Sequence, residues 1–330
     1  MVVWISALVL LAVLVLVVWA VWEGSNVMLF PKRRELEQRH LDVLNSPSTF
    51  GIELESFTAK MDDGVGLKGY LVTRSANMGE AARTREMLVR LENYGIESSA
   101  EPRGTVILLH GRGGLKDNML TIAQRFVAAD FRCIVYDARA HGESGGKHST
   151  FGSKETGDAS QVLDHVSSLL EERGEELGPV MGFGLSLGAA NLVRWMPDEE
   201  RLVAGVVVAP FADLTEVVVH AGKRDFVSWL PAALPKLVAQ IAGMRGGYRA
   251  KEICPELAAK SVQQPGFIVH GDLDQVIPLD HGKRVYDALP HQNKRWEVVE
   301  GGYHGDVLAT GGADLYYSMI QFYLEHLPKP

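Results

Sequence analysis

The stretch VMGFGLSLGAANLVRWM, residues 180–196, surrounds a single serine, Ser186, with small residues. Gly182, Gly184 and Gly188 all lie within four residues of it. Glycine loses more backbone entropy on folding than any other residue, so this density indicates a tight turn or a close backbone approach. Two interpretations are open at this point: a turn that cradles a phosphate group, or a sharp turn that exposes the serine hydroxyl as a nucleophile.

The glycine spacing favours the second interpretation. A dinucleotide-binding turn needs the order G-x-G-x-x-G, but the interval from Gly184 to Gly188 is one residue too long, and no Gly-Lys-Ser/Thr follows. The pentapeptide GLSLG at 184–188 instead fits G-x-S-x-G, with an apolar strand before it and a helical stretch after it. This is the pattern of a strand–turn–helix elbow that presents a nucleophilic serine. We therefore predict that Ser186 is a nucleophile.

A serine hydroxyl is a poor nucleophile at neutral pH and needs a base, which in turn needs a carboxylate to orient it. Downstream of Ser186, the segment GFIVHGDLDQVIP offers Asp272 and Asp274 just after a predicted strand. The segment VVEGGYHGDV offers His304 just after the next one. Parallel sheets carry their chemistry at the carboxyl ends of strands, so we expect these groups to meet. The residues alone leave either aspartate open as the acid.

An acyl-transfer site also needs donors for the oxyanion. The segment LLHGRGG, residues 108–114, ends an early predicted strand and opens a helix. We expect the backbone N–H groups of Arg112 and Leu187 to form this oxyanion hole. A plain glycine turn at 108–114 is the alternative.

The rest of the chain alternates short apolar runs with helical stretches, which is typical of a mostly parallel sheet covered by helices. The runs lie at 105–111, 133–137, 179–184, 204–210, 266–271 and 295–301. Residues 52–59 and 67–73 predict an antiparallel hairpin leading into the sheet. Two segments interrupt the alternation: an inserted surface helix within 76–103, and a helical lid at 211–250 in which Pro231 and Pro235 kink or split a helix.

Composition excludes several functional classes. The formal net charge of −8 argues against a nucleic-acid partner, since phosphate binding needs clustered Lys and Arg. The two cysteines, Cys133 and Cys254, are far apart and form neither a disulfide framework nor a metal motif. We expect no metal ion and no organic cofactor.

The N-terminus is almost wholly apolar. Residues 2–22 contain one polar side chain, Ser6, and a helix of that length spans about 31 Å, close to the ~30 Å of a hydrocarbon core. We expect a single-pass transmembrane anchor at 1–23, followed by a juxtamembrane linker at 24–49. A cleaved signal peptide is the alternative, although the charged leading region is missing and the apolar run exceeds the usual length.

Positive charge predicts the orientation of this anchor. No Lys or Arg precedes the apolar run, whereas Lys32, Arg33, Arg34 and Arg39 follow it. Because positively charged flanks favour the cytoplasmic side, we expect the domain at 50–330 to be cytoplasmic.

Five motifs in order, HGRGG, DARAHGESGG, GFGLSLG, HGDLDQVIP and GGYHGD, resemble the α/β-hydrolase superfamily over residues 50–328. The closest likeness is to membrane-anchored members of the serine-aminopeptidase-like and lysophospholipase-like group. The resemblance implies an α/β-hydrolase fold with an eight-stranded, mostly parallel sheet flanked by helices and a small lid. It also selects Asp274 as the acid, with Ser186 as nucleophile and His304 as base.

The second motif differs from the superfamily pattern at Ala140, which replaces a common glycine. The resemblance implies that Asp137, Arg139 and His141 shape this loop beside the site without taking part in catalysis. It implies the same structural role for His110.

We expect a membrane-anchored serine hydrolase that cleaves carboxylic esters or thioesters through an acyl-enzyme. The substrate is a small or lipid-like acyl compound, with an apolar acyl part suggested by the lid residues Phe226, Trp229 and Leu230. A peptidase or amidase with the same three residues is the alternative within enzymes. A catalytically inactive, membrane-bound scaffold is the alternative outside them.

Overall fold

The computed structural model describes residues 2–76, 82–290 and 292–328. One sheet runs through the domain in the spatial order β1-β2-β4-β3-β5-β6-β7-β8. The strands are β1 (Ile52–Lys60), β2 (Gly66–Arg74), β3 (Thr105–Leu109), β4 (Arg132–Tyr136), β5 (Val180–Leu185), β6 (Leu202–Val208), β7 (Gly266–Gly271) and β8 (Arg295–Val299). The β1–β2 and β2–β4 pairs are antiparallel, and the remaining pairs are parallel. The mostly parallel α/β architecture expected from the apolar runs, including the leading hairpin, is confirmed.

Helices cover both faces of this sheet. They are α1 (Val2–Leu29), α2 (Gln38–Asn45), α3 (Ala82–Asn93), α4 (Lys116–Ala128), α5 (Glu155–Glu171), α6 (Leu187–Trp195), α7 (Leu214–Asp225), α8 (Ala233–Gly246), α9 (Pro255–Ala259), α10 (Leu279–Ala288) and α11 (Val307–His326). Short 3₁₀ turns lie at Pro47–Phe50, Met196–Asp198 and Ala250–Glu252.

The domain has a hydrophobic core on each face of the sheet, because successive side chains of a strand point to opposite faces. In β3, Val106 and Leu108 enter the cluster formed with α3, α4 and α11. Ile107 and Leu109 enter the opposite cluster, formed with α5, α6 and α10. All four side chains are buried, so β3 carries an unbroken apolar run instead of an alternating one. Because β3 packs on both faces, it holds the start of the HGRGG loop in a defined position.

The first helix has two different halves. From Trp4 to Trp19 its side chains are exposed, and the helix is long and apolar enough to cross a membrane. Val21, Met28 and Leu29 are buried, and Gly24 packs against α8 so closely that a Cβ there would lie 2.9 Å from Val238 Cγ1. The helix therefore continues past the expected anchor boundary at residue 23, because its last turns are packed on the lid.

The lid consists of α7 and α8, separated by residues 226–232. Pro231 lies in this separating segment, as the sequence led us to expect. Pro235 instead sits in the first turn of α8, where its missing N–H would have had no helical partner. In the other interrupting segment, α3 buries Thr84, Met87 and Leu91. Residues 77–81 of the expected insertion at 76–103 lie outside the described residues.

Candidate active site

Ser186 occupies the sharp turn between β5 and α6. Its φ of 55° is positive, a conformation that strains a non-glycine residue. The Ser186 N–H donates to the Val208 carbonyl at 2.8 Å, which ties the turn to the neighbouring strand. The flanking glycines are needed for close packing, since a Cβ on Gly188 would lie 2.1 Å from the Leu109 carbonyl oxygen. The turn therefore lifts the hydroxyl above the carboxyl end of the sheet.

His304 reaches this hydroxyl from the loop between β8 and α11. Its Nε2 lies 2.9 Å from Ser186 Oγ, and its Nδ1 lies 2.7 Å from Asp274 Oδ2. Both distances are those of hydrogen bonds. The structure thus brings together the three residues expected to act as nucleophile, base and acid.

Asp274 is buried at the end of β7. Its Oδ1 accepts hydrogen bonds from the Val276 and Ile277 N–H groups, both at 2.8 Å. Burial alone would raise the pKa of this carboxyl, but hydrogen bonds from His270 and His304 and the charge of His304 hold the pKa well below its ordinary value. Asp274 is therefore an anion held in a fixed orientation, as a carboxylate that orients an imidazole must be.

The neighbouring Asp272 has a different position. It is exposed, and its Oδ1 accepts a hydrogen bond from the Gly301 N–H at 2.7 Å, which braces the loop that carries His304. The residue pattern alone left both aspartates open as the acid. In the structure, Asp274 contacts His304 and Asp272 supports the backbone of its loop.

His270 is a residue of this site to which we assigned no role from the sequence. It is fully buried in β7, and its Nε2 lies 2.8 Å from the Ile277 carbonyl oxygen and 3.4 Å from Asp274 Oδ2. It therefore contacts the same carboxylate oxygen as His304 and also binds the backbone of the loop that carries Asp274. Its only sequence signal is the HG dipeptide before DLD, which parallels His110 in HGRGG.

The expected oxyanion donors lie on two different elements. Leu187 begins α6, and Arg112 lies in the loop after β3. The β3 loop reaches Ser186, because a Cβ on Gly111 would lie 3.3 Å from Ser186 Cβ. Within the described residues, neither the Leu187 nor the Arg112 N–H has an acceptor. The Arg112 side chain extends away and donates to the Val27 and Met28 carbonyls of α1.

The DARAHGESGG loop is held in place by buried polar contacts. Asp137 is fully buried and accepts from the Lys116 and Glu143 N–H groups at 2.7 and 2.9 Å. Arg139 forms a buried pair with Asp158 through Nε and Nη2, at 2.6 and 2.5 Å. These bonds join the loop to α4 and α5, which is a structural role.

The two histidines near this loop are buried as well. His110 Nε2 accepts from the Ala138 N–H at 2.9 Å. Burial and the nearby His110 lower the pKa of His141 to about 4, so it is neutral at pH 7. Ala140 has a φ of 63°, the left-handed conformation that the glycine common at this position adopts without strain.

A cleft of about 460 Å³ opens at Ser186 and His304, within the size range of small-molecule sites. Its lining combines arginines with apolar side chains of α4 and α11. Phe226 and Trp229 do not line it and are 80% and 77% exposed. The expected acyl contact from these two lid residues is therefore absent from the described cleft, because the segment between α7 and α8 points its large side chains outward.

Comparison with known proteins agrees with this architecture. Residues 100–251 match a family model described as serine aminopeptidase, S33. The monoacylglycerol lipase of Mycolicibacterium smegmatis is 26% identical over 239 residues, which is 62% of this chain and 82% of the relative. An uncharacterized membrane protein of Saccharomyces cerevisiae is 21% identical, with 96% of this chain and 94% of the relative covered.

Among solved structures, the Pyrococcus furiosus esterase Pf2001 superposes with a TM-score of 0.66 at 19% identity. The match covers 91% of this chain and all of the esterase chain. At that identity the likeness establishes the fold. The chain therefore has the α/β-hydrolase fold, and its residues 100–251 match the serine-aminopeptidase family model.

Proposed function

We propose that the protein is a membrane-anchored serine hydrolase that cleaves carboxylic esters or thioesters through an acyl-enzyme. The observation that carries this proposal is the continuous hydrogen-bonded path from Ser186 Oγ through His304 to Asp274, at 2.9 and 2.7 Å. Such a path activates a serine that is otherwise unreactive at neutral pH.

In the proposed reaction, Ser186 Oγ attacks the acyl carbonyl carbon while His304 Nε2 accepts the hydroxyl proton. The oxyanion receives hydrogen bonds from the Arg112 and Leu187 N–H groups. The bond to the leaving oxygen or sulfur then breaks, and His304 protonates the leaving group. A water molecule, deprotonated by His304, attacks the acyl-enzyme carbonyl. The acyl–Oγ bond then breaks, His304 returns the proton to Ser186 Oγ, and the acid is released. Asp274 stabilises the imidazolium in both halves.

The composition of the cleft favours an ester or thioester over a peptide with a free amino end. An aminopeptidase needs a carboxylate or another acceptor to hold the substrate's ammonium group. No aspartate or glutamate lines the cleft in the part of the chain that the structure describes. The matched family description names an aminopeptidase, so amide cleavage remains the second candidate and enters the substrate panel below.

Anchoring through residues 2–22 is part of the proposal. The helix has a mean hydropathy of 2.9 over its most apolar window, and little of that window is buried in the protein. The yeast relative carries the description membrane protein. The basic residues after the helix favour a cytoplasmic hydrolase domain. Protease added to intact cells tests this orientation: a domain protected until lysis supports it, and digestion from outside contradicts it.

The chemical test uses the full chain in its membrane. A fluorophosphonate probe should label the wild-type protein and leave Ser186→Ala unlabelled, and His304→Ala should lower ester turnover by several orders of magnitude while the protein stays folded. A panel of esters, thioesters and aminoacyl amides with one acyl group then ranks the bond types. An unlabelled but folded wild-type protein would identify an inactive scaffold, and preferential amide turnover would identify a peptidase or amidase.

A further inference from the structure

Five arginines line the cleft in front of Ser186, although the chain as a whole is acidic, with a formal net charge of −8. They converge from separate parts of the sequence: Arg34 between α1 and α2, Arg39 on α2, Arg83 on α3, Arg112 after β3, and Arg125 on α4. We call this set the arginine wall. The described lining of the cleft has no aspartate or glutamate to neutralise it.

Most of the arginine wall lacks a carboxylate partner. Arg39 pairs with Glu37 at 2.9 Å, but both side chains are largely exposed. Arg125 lies 4.1 Å from the centre of the Tyr316 ring and donates to the Thr121 carbonyl at 2.8 Å, and neither of these partners is a carboxylate.

The other members are no better neutralised. The Arg112 side chain bonds to the carbonyl oxygens at the end of α1, which are uncharged. Arg34 and Arg83 are exposed, and the described chain places no carboxylate within ion-pair distance of either.

Such an arrangement is unfavourable without an anion. Like charges that share a cleft repel one another, and the low-dielectric walls of a cleft strengthen their field. Burial and the nearby Arg83 both lower the pKa of Arg125, whereas Tyr316 and Glu86 oppose that shift. A bound anion would remove the repulsion, and guanidinium groups match the oxygens of a phosphate with paired hydrogen bonds.

The remaining lining is apolar and adjoins the nucleophile. Met119 and Ile122 contribute from α4, Leu185 from the end of β5, and Val307 and Leu308 from the start of α11. One cleft therefore offers an apolar surface for an acyl chain and a cationic surface for an anion, with Ser186 and His304 in the same lining. This combination fits a substrate that is itself an anionic amphiphile.

We propose that the arginine wall selects acyl esters or thioesters that carry an anionic phosphate group over neutral or zwitterionic acyl compounds. The inference rests on the proposed function, because it concerns the substrate of the same serine. The phosphate can belong to a lipid in the bilayer, such as an acylglycerol phosphate, or to a soluble carrier of an acyl thioester. Both sources present the same chemistry to the arginines.

The experiment measures kcat/KM for matched substrates with the full chain in vesicles or detergent. In the lipid arm, one acyl chain is carried by glycerol, by glycerol phosphate and by glycerophosphocholine. In the soluble arm, one short acyl thioester is carried by a phosphate-bearing thiol and by an uncharged thiol. The readout is the anionic-to-neutral ratio of kcat/KM, and we expect the ratio to exceed ten in at least one arm.

Two variants test the wall directly. Arg34→Gln and Arg83→Gln alter exposed side chains and should each lower the ratio by about tenfold, since a charge-assisted hydrogen bond is lost. The Arg34→Glu/Arg83→Glu double variant should lower it further. Arg173→Gln is the matched control, because Arg173 pairs with Glu55 on the surface and does not line the cleft. It should leave the ratio unchanged, and added salt should lower the wild-type ratio.

The outcomes separate this inference from the proposed function. A preference in the lipid arm alone identifies a bilayer phosphate, a preference in the soluble arm alone identifies a soluble carrier, and either supports the proposal. A ratio near one in both arms, or an equal effect of Arg173→Gln, overturns it. Fluorophosphonate labelling of the same samples reports the serine separately: labelled protein without charge preference refutes only the inference, and unlabelled protein refutes the proposed function.

Discussion

Two regions of the molecule are built in different ways: the strand ends that carry Ser186 and Asp274, which we call the backbone-held side, and the contact between α1 and α8. On the backbone-held side, backbone groups hold the key atoms: Ser186 bonds to Val208, and Asp274 receives two N–H groups. In the contact between α1 and α8, the Arg245 side chain donates to the Ser25 and Asn26 side chains. Between α7 and α8, Phe226 and Trp229 are exposed. The comparison teaches that backbone hydrogen bonds position Ser186 and Asp274, whereas side-chain packing joins α1 to α8.

The largest effect that we expect is a loss of kcat on the backbone-held side, where two neighbouring aspartates can be compared. Asp274→Asn removes the carboxylate that orients His304 and should lower kcat by about 10³–10⁴-fold, as in other hydrolases with this arrangement. Asp272→Asn is the control, because that side chain only accepts a hydrogen bond from Gly301, and it should cost less than about tenfold. Steady-state kinetics on a soluble ester measures both. A crippling Asp272→Asn with a mild Asp274→Asn would reverse the assignment.

The next effect concerns the packing that holds the serine turn. Gly188→Ala places a methyl group against the Leu109 and His110 carbonyls and should lower the free energy of unfolding by about 2–4 kcal/mol. Gly157→Ala is the matched control in α5, where the added methyl meets nothing within 4 Å, and it should stabilise by up to about 1 kcal/mol. Denaturant unfolding in detergent measures both changes. Equal changes in the free energy of unfolding for the two variants would mean that close backbone packing does not require glycine at position 188.

At the contact between α1 and α8, the expected loss of stability is smaller and depends on the position along α1. Gly24→Leu forces α1 away from Val238 of α8 and should destabilise the protein by about 1–3 kcal/mol. Ala12→Leu makes a similar enlargement on the exposed half of the same helix and should have no measurable effect. Thermal unfolding in detergent compares the two. A matching loss from Ala12→Leu would show that the contact with α8 is not what stabilises this helix.

The smallest effect is expected at the exposed lid residues. A Phe226→Ser/Trp229→Ser double variant should change kcat/KM of soluble esters less than about twofold at every acyl length, because neither side chain lines the cleft. Ile122→Ala, inside the cleft, should instead weaken long acyl chains more than acetate, since a buried methylene contributes about 0.8 kcal/mol. If the Phe226→Ser/Trp229→Ser variant lost more kcat/KM as the acyl chain lengthened, these residues would contact the acyl chain, as we expected from the sequence.

Much of the backbone-held side could be predicted because its signals are local. The apolar runs of β3, β5 and β7 predict strands that are buried on both faces. The glycines around Ser186 predict a turn that is too closely packed for larger residues. Ser186 follows β5 directly and His304 lies in the loop after β8, so the sheet topology brings both residues to the same edge. His270 was missed because a buried histidine inside an apolar strand has no spacing that distinguishes it from a core residue.

The sequence by itself determined the fold class, the order in which the site residues follow successive strands, and the apolar N-terminal helix. Each of these depends on a short-range pattern of side-chain types. The residue pattern left both aspartates open and only the family resemblance selected Asp274, whose contact with His304 is seen in the tertiary structure. Only the tertiary structure decided that α1 packs on α8 at Gly24 and that Phe226 and Trp229 face outward. It also assembled the arginine wall from residues as distant as Arg34 and Arg125. These contacts join elements far apart in the chain, and neither periodicity nor spacing encodes how such elements meet in space.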